Sequence, residues 1–135
     1  MTVLVDTSAW IEFLRKTGSE THTAARDIAL GRIGGATCAP VMMEVLAGAQ
    51  DDEHAESLQW VFARSKKVHT DFAHYDEAAA IYRHCRRNGI TVRSLVDCVI
   101  AAIALREDHE ILHADRDFNA IASVLPLRIH SASTN

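Results

Sequence analysis

The sequence predicts a three-layer α/β/α sandwich around a mostly parallel sheet of about five strands. Three observations carry that expectation. Short apolar runs alternate with helical stretches along all 135 residues. The first run, Val3-Leu4-Val5, stops at Asp6-Thr7-Ser8 and passes straight into apolar positions at helical spacing, Trp10, Ile11, Phe13 and Leu14. No Gly/Ser-rich linker, internal repeat or low-complexity segment interrupts the chain. Residues 1–130 therefore read as one domain, and the final Ser-Ala-Ser-Thr-Asn (131–135) as a terminus expected to fray.

The elements follow in order. Glu20 to Leu30 reads as a second helix, ended by Gly31, Gly34 and Gly35. Ala36 to Ala39 is a short strand candidate, and Pro40 suits the first turn of a helix carrying Val41, Val45 and Leu46. Asp51-Asp52-Glu53 places negative charge at the free N–H groups of the next helix. Lys66 to Thr70, short and charged, has the character of an edge strand. A long helix is expected over His74 to Asn88, closed by Gly89. Ser94-Leu95-Val96-Asp97 has the form of a capping box, and the helix behind it, Val99 to Leu105, is apolar almost all round and must be buried. Ile111 to His113 is a brief strand leading to Asp115, Asp117 to Val124 a short helix, and Leu127 to Ile129 a last strand.

Composition narrows the function. Hydrophobic residues make up 48% of the chain and aromatics 6%, so the core must be built mainly from Ala, Val, Ile and Leu. A formal charge of −4 excludes a strongly basic protein that coats DNA by salt-driven binding, but acids concentrated at one site leave metal-assisted chemistry open. Cys38, Cys85 and Cys98 are odd in number and lack a C-x-x-C spacing, which argues against structural zinc or a disulfide framework. Asp6 interrupts the first apolar run, so no signal peptide is expected, and no apolar stretch is long enough to span a membrane. A cytoplasmic location follows as the expectation.

The position of the acids is more telling than their number. Asp6 ends the first strand and Asp115 follows a late one, and ligands of open α/β sheets bind beyond the carboxyl ends of strands. Glu44 lies about one turn into the helix after the second strand, and Asp97 in the first turn of the buried helix. Carboxylates gathered this closely raise one another's pKa and are costly without a cation. Oxygen donors with no Cys or His partner point to a hard ion, Mg²⁺ or Mn²⁺, and to phosphodiester hydrolysis with no side-chain nucleophile. Each acid also has a plainer reading. Asp6 serves as a helix cap, Glu44 as a solvated helix residue, Asp97 as a member of its capping box, and Asp115 and Asp117 as the end of a strand and the start of a helix.

With these residues in place, the chain resembles the PIN-domain ribonucleases, and specifically the VapC-type toxins of prokaryotic toxin–antitoxin pairs. Val3-Leu4-Val5-Asp6-Thr7-Ser8 resembles the family's opening strand, Pro40-Val41-Met42-Met43-Glu44-Val45 its second motif, Ser94 to Ala102 its third, and Ile111 to Phe118 its last. The resemblance implies that Asp6, Glu44, Asp97 and Asp115 are the catalytic, metal-binding acids. It implies Asp117 as an accessory metal-binding carboxylate, and a hydroxyl contact from Thr7 or Ser8. It further implies an endoribonuclease acting on tRNA or ribosomal RNA, a homodimer, and inhibition by a cognate antitoxin whose C-terminal part lies in or near the active groove. Trp10, Phe13, Leu58 and Trp60 offer apolar surface for such a contact, or else belong to the monomer core.

Arg83, Arg86 and Arg87 gather near one helix end, with Arg93 just beyond and Arg116 beside Asp115. They form either an ordinary solvated face or a set of RNA phosphate contacts. None of the eight histidines forms H-E-x-x-H, and His113, nearest the acids, reads as structural. Two further function classes compete. A phosphohydrolase-like or receiver-like domain also places an Asp after strand one, but Ser8 stands where an aspartyl phosphatase would want a second Asp. A non-catalytic RNA- or protein-binding module with a structural metal would share the acids and lack turnover.

Overall fold

Four short strands, β1 (Val3–Val5), β2 (Gly35–Cys38), β3 (Lys66–Val68) and β4 (Glu110–Leu112), run parallel in the order β3-β2-β1-β4. This is the sheet of a computed structural model that describes residues 2–135. Each inner strand is buried along its whole length, which is why these runs lack the polar alternation of a one-sided sheet. β3 is the edge, with Lys66 and Lys67 exposed, as its charge predicts.

The helices form the outer layers of the α/β/α sandwich. α1 (Thr7–Leu14), α2 (Glu20–Ala29), α3 (Ala39–Ala47) and α4 (Asp52–Leu58) pack on one another, and a 3₁₀ turn follows at Gln59–Phe62. α5 (Phe72–Arg87), α6 (Leu95–Glu107) and α7 (Arg116–Ala122) make the second group. Their starts are encoded locally. Asp6, Ser19 and Asp51 cap α1, α2 and α4 through side-chain oxygens that accept backbone N–H groups, and Pro40 sits in the first turn of α3. Asp71 and His74 form a reciprocal capping box on α5. Gly89, with φ +76°, takes the left-handed turn that closes α5.

α6 is buried continuously from Asp97 to Ala104, as its uniform apolarity requires. Its small residues let it lie close against α5. Trp10 is fully buried and meets Phe62 edge-on at 5.9 Å between ring centroids. Gly35 permits the closest approach of helix to sheet, since a Cβ there would fall 2.3 Å from Ile28 Cγ2.

Two expectations need correction, the fifth strand and the capping box. The Leu127–Ile129 strand reduces to a single parallel bridge, Ile111 to Ile129. The sheet therefore has four strands, because the segment pairs with β4 only through Arg128 O and His130 N on either side of Ile129 and turns at residues 131–132. The tail is hydrogen-bonded to the body of the domain. Thr134 N donates to His113 O (2.9 Å) and His113 N to Ser133 Oγ (3.1 Å), so Ser133 and Thr134 pair the residue that follows β4, while Thr21 Oγ1 of α2 donates to Ala132 O (2.6 Å). Ser94 caps α6 without a side-chain bond, so no capping box forms and the Asp97 carboxyl is released from that duty. Of the four residues offered as contact surface, Trp10 and Leu58 are buried in the monomer core, while Trp60 remains 46% exposed and packs edge-on against Phe13.

Candidate metal centre

β1 has β2 on one side and β4 on the other, so the chain order reverses at β1 and a crevice opens beyond the C-terminal ends of β1 and β4. Asp6 stands at the first of these ends. It is 3% exposed, and its Oδ2 accepts from both Ser8 N (2.9 Å) and Ser8 Oγ (2.5 Å). Ser8 Oγ in turn accepts from Ala114 N at 2.9 Å, tying the start of α1 to the loop after β4. Burial pushes the Asp6 carboxyl up to about 6 against the two bonds from Ser8, with the charges of Glu44 and Asp115 adding to the rise.

Glu44 reaches the site from α3, where Thr7 Oγ1 donates to its Oε1 at 3.0 Å. Both hydroxyls of the Thr7-Ser8 pair thus serve an acid, Thr7 for Glu44 and Ser8 for Asp6. Asp97 lies in the first turn of α6, 7% exposed, and its Oδ2 has no hydrogen-bond partner. Burial, then the charges of Asp6 and Asp115, push it up to about 8. Asp115 caps α7, its Oδ1 accepting from Asp117 N at 3.0 Å. Asp117 is buried beside it.

The tightest gathering is Asp97, Asp115 and Asp117, which each offer a carboxylate oxygen within 4.8 Å of the others. Asp6 feels the charges of Asp115 and Glu44 and adds its own to Asp97, so Glu44 is linked to this trio through Asp6. The donor set is all oxygen, and one of its buried oxygens is unpartnered. Those are the properties of a site for a hard divalent cation. The Cys38 thiol, near Asp6 and Glu44, is pushed up to about 11 chiefly by burial and is no thiolate nucleophile at neutral pH.

His113 is fully buried behind the site and structural, as expected. Its Nδ1 accepts from Asp115 N at 3.0 Å, which leaves the proton on Nε2, 3.2 Å from Asn119 Oδ1. Burial holds its pKa below the usual value, so it stays neutral and fixes the loop carrying Asp115.

The arginines divide. Arg93 is drawn into the centre: Nη2 donates to Asp115 Oδ1 (3.0 Å), and Nε to both oxygens of Asp117 (3.3 and 3.2 Å). The charges and hydrogen bonds of Asp117 and Asp115 raise its pKa further. Sequence reading placed Arg93 among phosphate contacts and missed this pairing, because nothing in its spacing from Asp115 and Asp117 signals it. Arg116 lines an open cavity of about 360 Å³ with Ser8, Arg93 and Asp115. Arg83, Arg86 and Arg87 are exposed on α5, Arg86 lying over the Tyr82 ring at 5.8 Å. A second cavity, about 440 Å³, opens on the other flank, where Glu44 meets Ile11, Leu14, Val45 and Leu58.

With this geometry, the comparison with known proteins is decisive. The PIN domain family model matches residues 3–124. The chain belongs to the PIN-domain family. It is closely related to VapC-type toxins of toxin–antitoxin systems. It is 41% identical over 133 residues to VapC ribonuclease Mb1587 of Mycobacterium bovis, covering 96% of this chain and 98% of that protein. The same figures hold for Ribonuclease VapC11 of Mycobacterium tuberculosis. Among solved structures, VapBC2 from Rickettsia felis, bound to a DNA fragment from its promoter, aligns with TM-score 0.76 at 15% identity, covering 96% of this chain and 98% of that one. DNA-bound VapBC from Salmonella typhimurium aligns with TM-score 0.73 at 14% identity, covering 96% and 97%. These structural likenesses establish the PIN-like sandwich independently of sequence. Among the described residues, no helix is long and apolar enough to cross a membrane.

Proposed function

We propose that this PIN-domain chain is a Mg²⁺- or Mn²⁺-dependent endoribonuclease, the toxin of a toxin–antitoxin pair, cleaving structured RNA such as tRNA or ribosomal RNA in the cytoplasm. The observation that carries the reading is the unpartnered, buried Oδ2 of Asp97 inside a gathering of carboxylates. A carboxyl pushed up to about 8 in the free chain is stable as an anion only beside a compensating cation. Asp6, Glu44, Asp97 and Asp115 would hold the ion, with Asp117 as accessory acid. When bound, such an ion supplies Lewis acidity toward water and toward a phosphodiester oxygen.

The chain's own residues do the rest. Ser8 fixes the Asp6 carboxylate and Thr7 orients Glu44, so each acid keeps one oxygen free to face the crevice. His113 and Asn119 hold the Asp115 loop. Arg116, at the mouth of the cavity beside Asp115, is placed to meet a backbone phosphate, and Arg83, Arg86 and Arg87 would extend that contact along the RNA. The cavity between Glu44 and the apolar side chains of α1 and α4 suits the inhibitory segment of an antitoxin, and the kinship with VapC-type toxins supports a homodimer as the proposed assembly.

The test compares wild type with Asp97→Asn on a panel of tRNAs and ribosomal RNA, with chelator and with added Mn²⁺, alongside circular dichroism. We expect chelator-sensitive cleavage by wild type and none by the folded variant. Equal cleavage by both, or cleavage that survives complete metal removal, would refute the mechanism. Light scattering at micromolar concentration reads the dimer, and pull-down with the product of a neighbouring gene reads the antitoxin.

A further inference from the structure

Arg93 reaches into the acidic cluster and pairs with two of its members. Its backbone N–H donates to Asp117 Oδ2 (3.1 Å), its Nε to both oxygens of Asp117, and its Nη2 to Asp115 Oδ1. Asp117 is thereby satisfied on both oxygens, and Asp115 Oδ1 is shared between Arg93 and Asp117 N. The side chain of Asp117 is 7% exposed and that of Arg93 56%, so the guanidinium covers the acid from the solvent side. Asp97, the third member of the trio, receives nothing from Arg93, and its buried Oδ2 stays unpartnered. The site is therefore split. Asp117 and half of Asp115 are neutralised from within the chain, while Asp97 and its neighbour Asp6 are not.

We propose that Arg93 is a built-in counter-cation that limits this centre to one divalent ion, held on the Asp97 and Asp6 side, and reserves Asp117 as a positioning residue for Asp115. The inference rests on the metal-centre reading above and specifies its stoichiometry. A bidentate guanidinium pairs strongly with carboxylates and cannot lose its proton, so a free ion must displace a charge-assisted, geometrically matched partner to reach Asp117. Removing that charge while leaving the acids in place creates a second vacancy of the same hard-oxygen chemistry.

The experiment counts ions without any RNA. Chelator-stripped chain is titrated with MnCl₂ by calorimetry, and bound Mn²⁺ is counted independently by its electron paramagnetic resonance. Wild type is expected to take one Mn²⁺ per chain and Arg93→Gln two. Arg93→Lys, which keeps the charge, should return to one, and Arg93→Gln combined with Asp117→Asn should also return to one. Arg93→Met serves if the Gln variant does not fold. Two ions in wild type, or one ion in the folded Gln or Met variant, would overturn the proposal while leaving the metal centre standing. No Mn²⁺ on wild type at all would bring down the metal-centre reading and this one together.

Discussion

Replacing Asp97 by Asn in the metal-free chain removes a charge from the most crowded part of the crevice while keeping the shape of the side chain, and the structure fixes both the sign and the size of the effect. The unfolded chain carries this carboxyl near its ordinary value of 3.8, whereas the folded chain holds it up to about 8. The folded state thus binds more protons than the unfolded state between those values, so stability falls as pH rises through that window. Below about pH 4 the two states are equally protonated and the penalty vanishes. At pH 7 the interval from 3.8 is roughly three pKa steps, which corresponds to about 4 kcal/mol by linkage. Water entering the crevice and the partial loss of the helix N-terminal interaction both reduce this, and we expect a net gain of about 1–3 kcal/mol for Asp97→Asn.

For a chain of this length that gain corresponds to a rise in melting temperature of roughly 3–10 °C. The assay is thermal and urea unfolding of both proteins in chelator at several pH values from about 5 to 8. Asp97→Asn should be the more stable at pH 8, with the difference narrowing steadily toward pH 5. Added Mn²⁺ should shrink or reverse the difference, since saturation at about a hundred times Kd stabilises wild type by roughly 2.7 kcal/mol and finds a weakened site in the variant. A variant less stable than wild type at pH 8 in chelator, or a difference that ignores pH, would show that Asp97 is not strained as the geometry states.

Three further outcomes follow from single contacts. Ser8→Ala removes the hydroxyl that both holds Asp6 and satisfies Ala114 N, so unfolding in urea should show a loss of about 1–3 kcal/mol; an unchanged midpoint would mean that water replaces the bridge at no cost. Gly35→Ala places a Cβ 2.3 Å from Ile28 Cγ2 and 3.0 Å from Ser65 Oγ, and because Ile28 is buried, overpacking of about 1–3 kcal/mol is expected by the same measurement; a neutral result would show that α2 can slide away from the sheet. By contrast, Glu77→Gln breaks only the half-exposed pair with Arg106 between α5 and α6, and should move stability by less than about 1 kcal/mol, with a larger loss arguing for a coupled surface network.

What the sequence revealed depended on whether the signal was local. Asp6 as the cap of α1, Pro40 in the first turn of α3, Gly89 closing α5 and the charged edge strand at Lys66 are each decided within a few residues, and all were legible. The burial of α6 was legible because nothing polar but Asp97 interrupts it from there to Ala104. The end of the chain was not. Whether Leu127–Ile129 becomes a strand depends on how its backbone meets β4, and the bonds from Thr134 and Ser133 to His113 span about twenty residues with no pattern to announce them. The same holds for the site. Asp6, Asp97, Asp115 and Asp117 stood out as candidates because each lies where an element ends or begins, and Glu44 because it lies about one turn into the helix after a strand, whereas the pairing of Arg93 with Asp115 and Asp117 arises from a loop whose path only the packed fold determines.

That pairing also shows how the acids of the site, three of them buried, are held by the chain itself. Asp6 is held by the two donors of Ser8, Glu44 by Thr7, and Asp117 by Arg93. Asp115 is anchored by Arg93 and by the N–H of Asp117. The electrostatic strain is not spread evenly over the cluster but concentrated on Asp97, which sits on the most deeply buried helix and has an oxygen with nothing to bond. The rise in pKa is larger at Asp97 than at Asp6, so the main electrostatic cost of the site falls on one carboxyl. The same concentration makes Asp97 the group whose ionisation gains most when a cation arrives, so the residue that most destabilises the free chain is also the one that couples ion binding to folding.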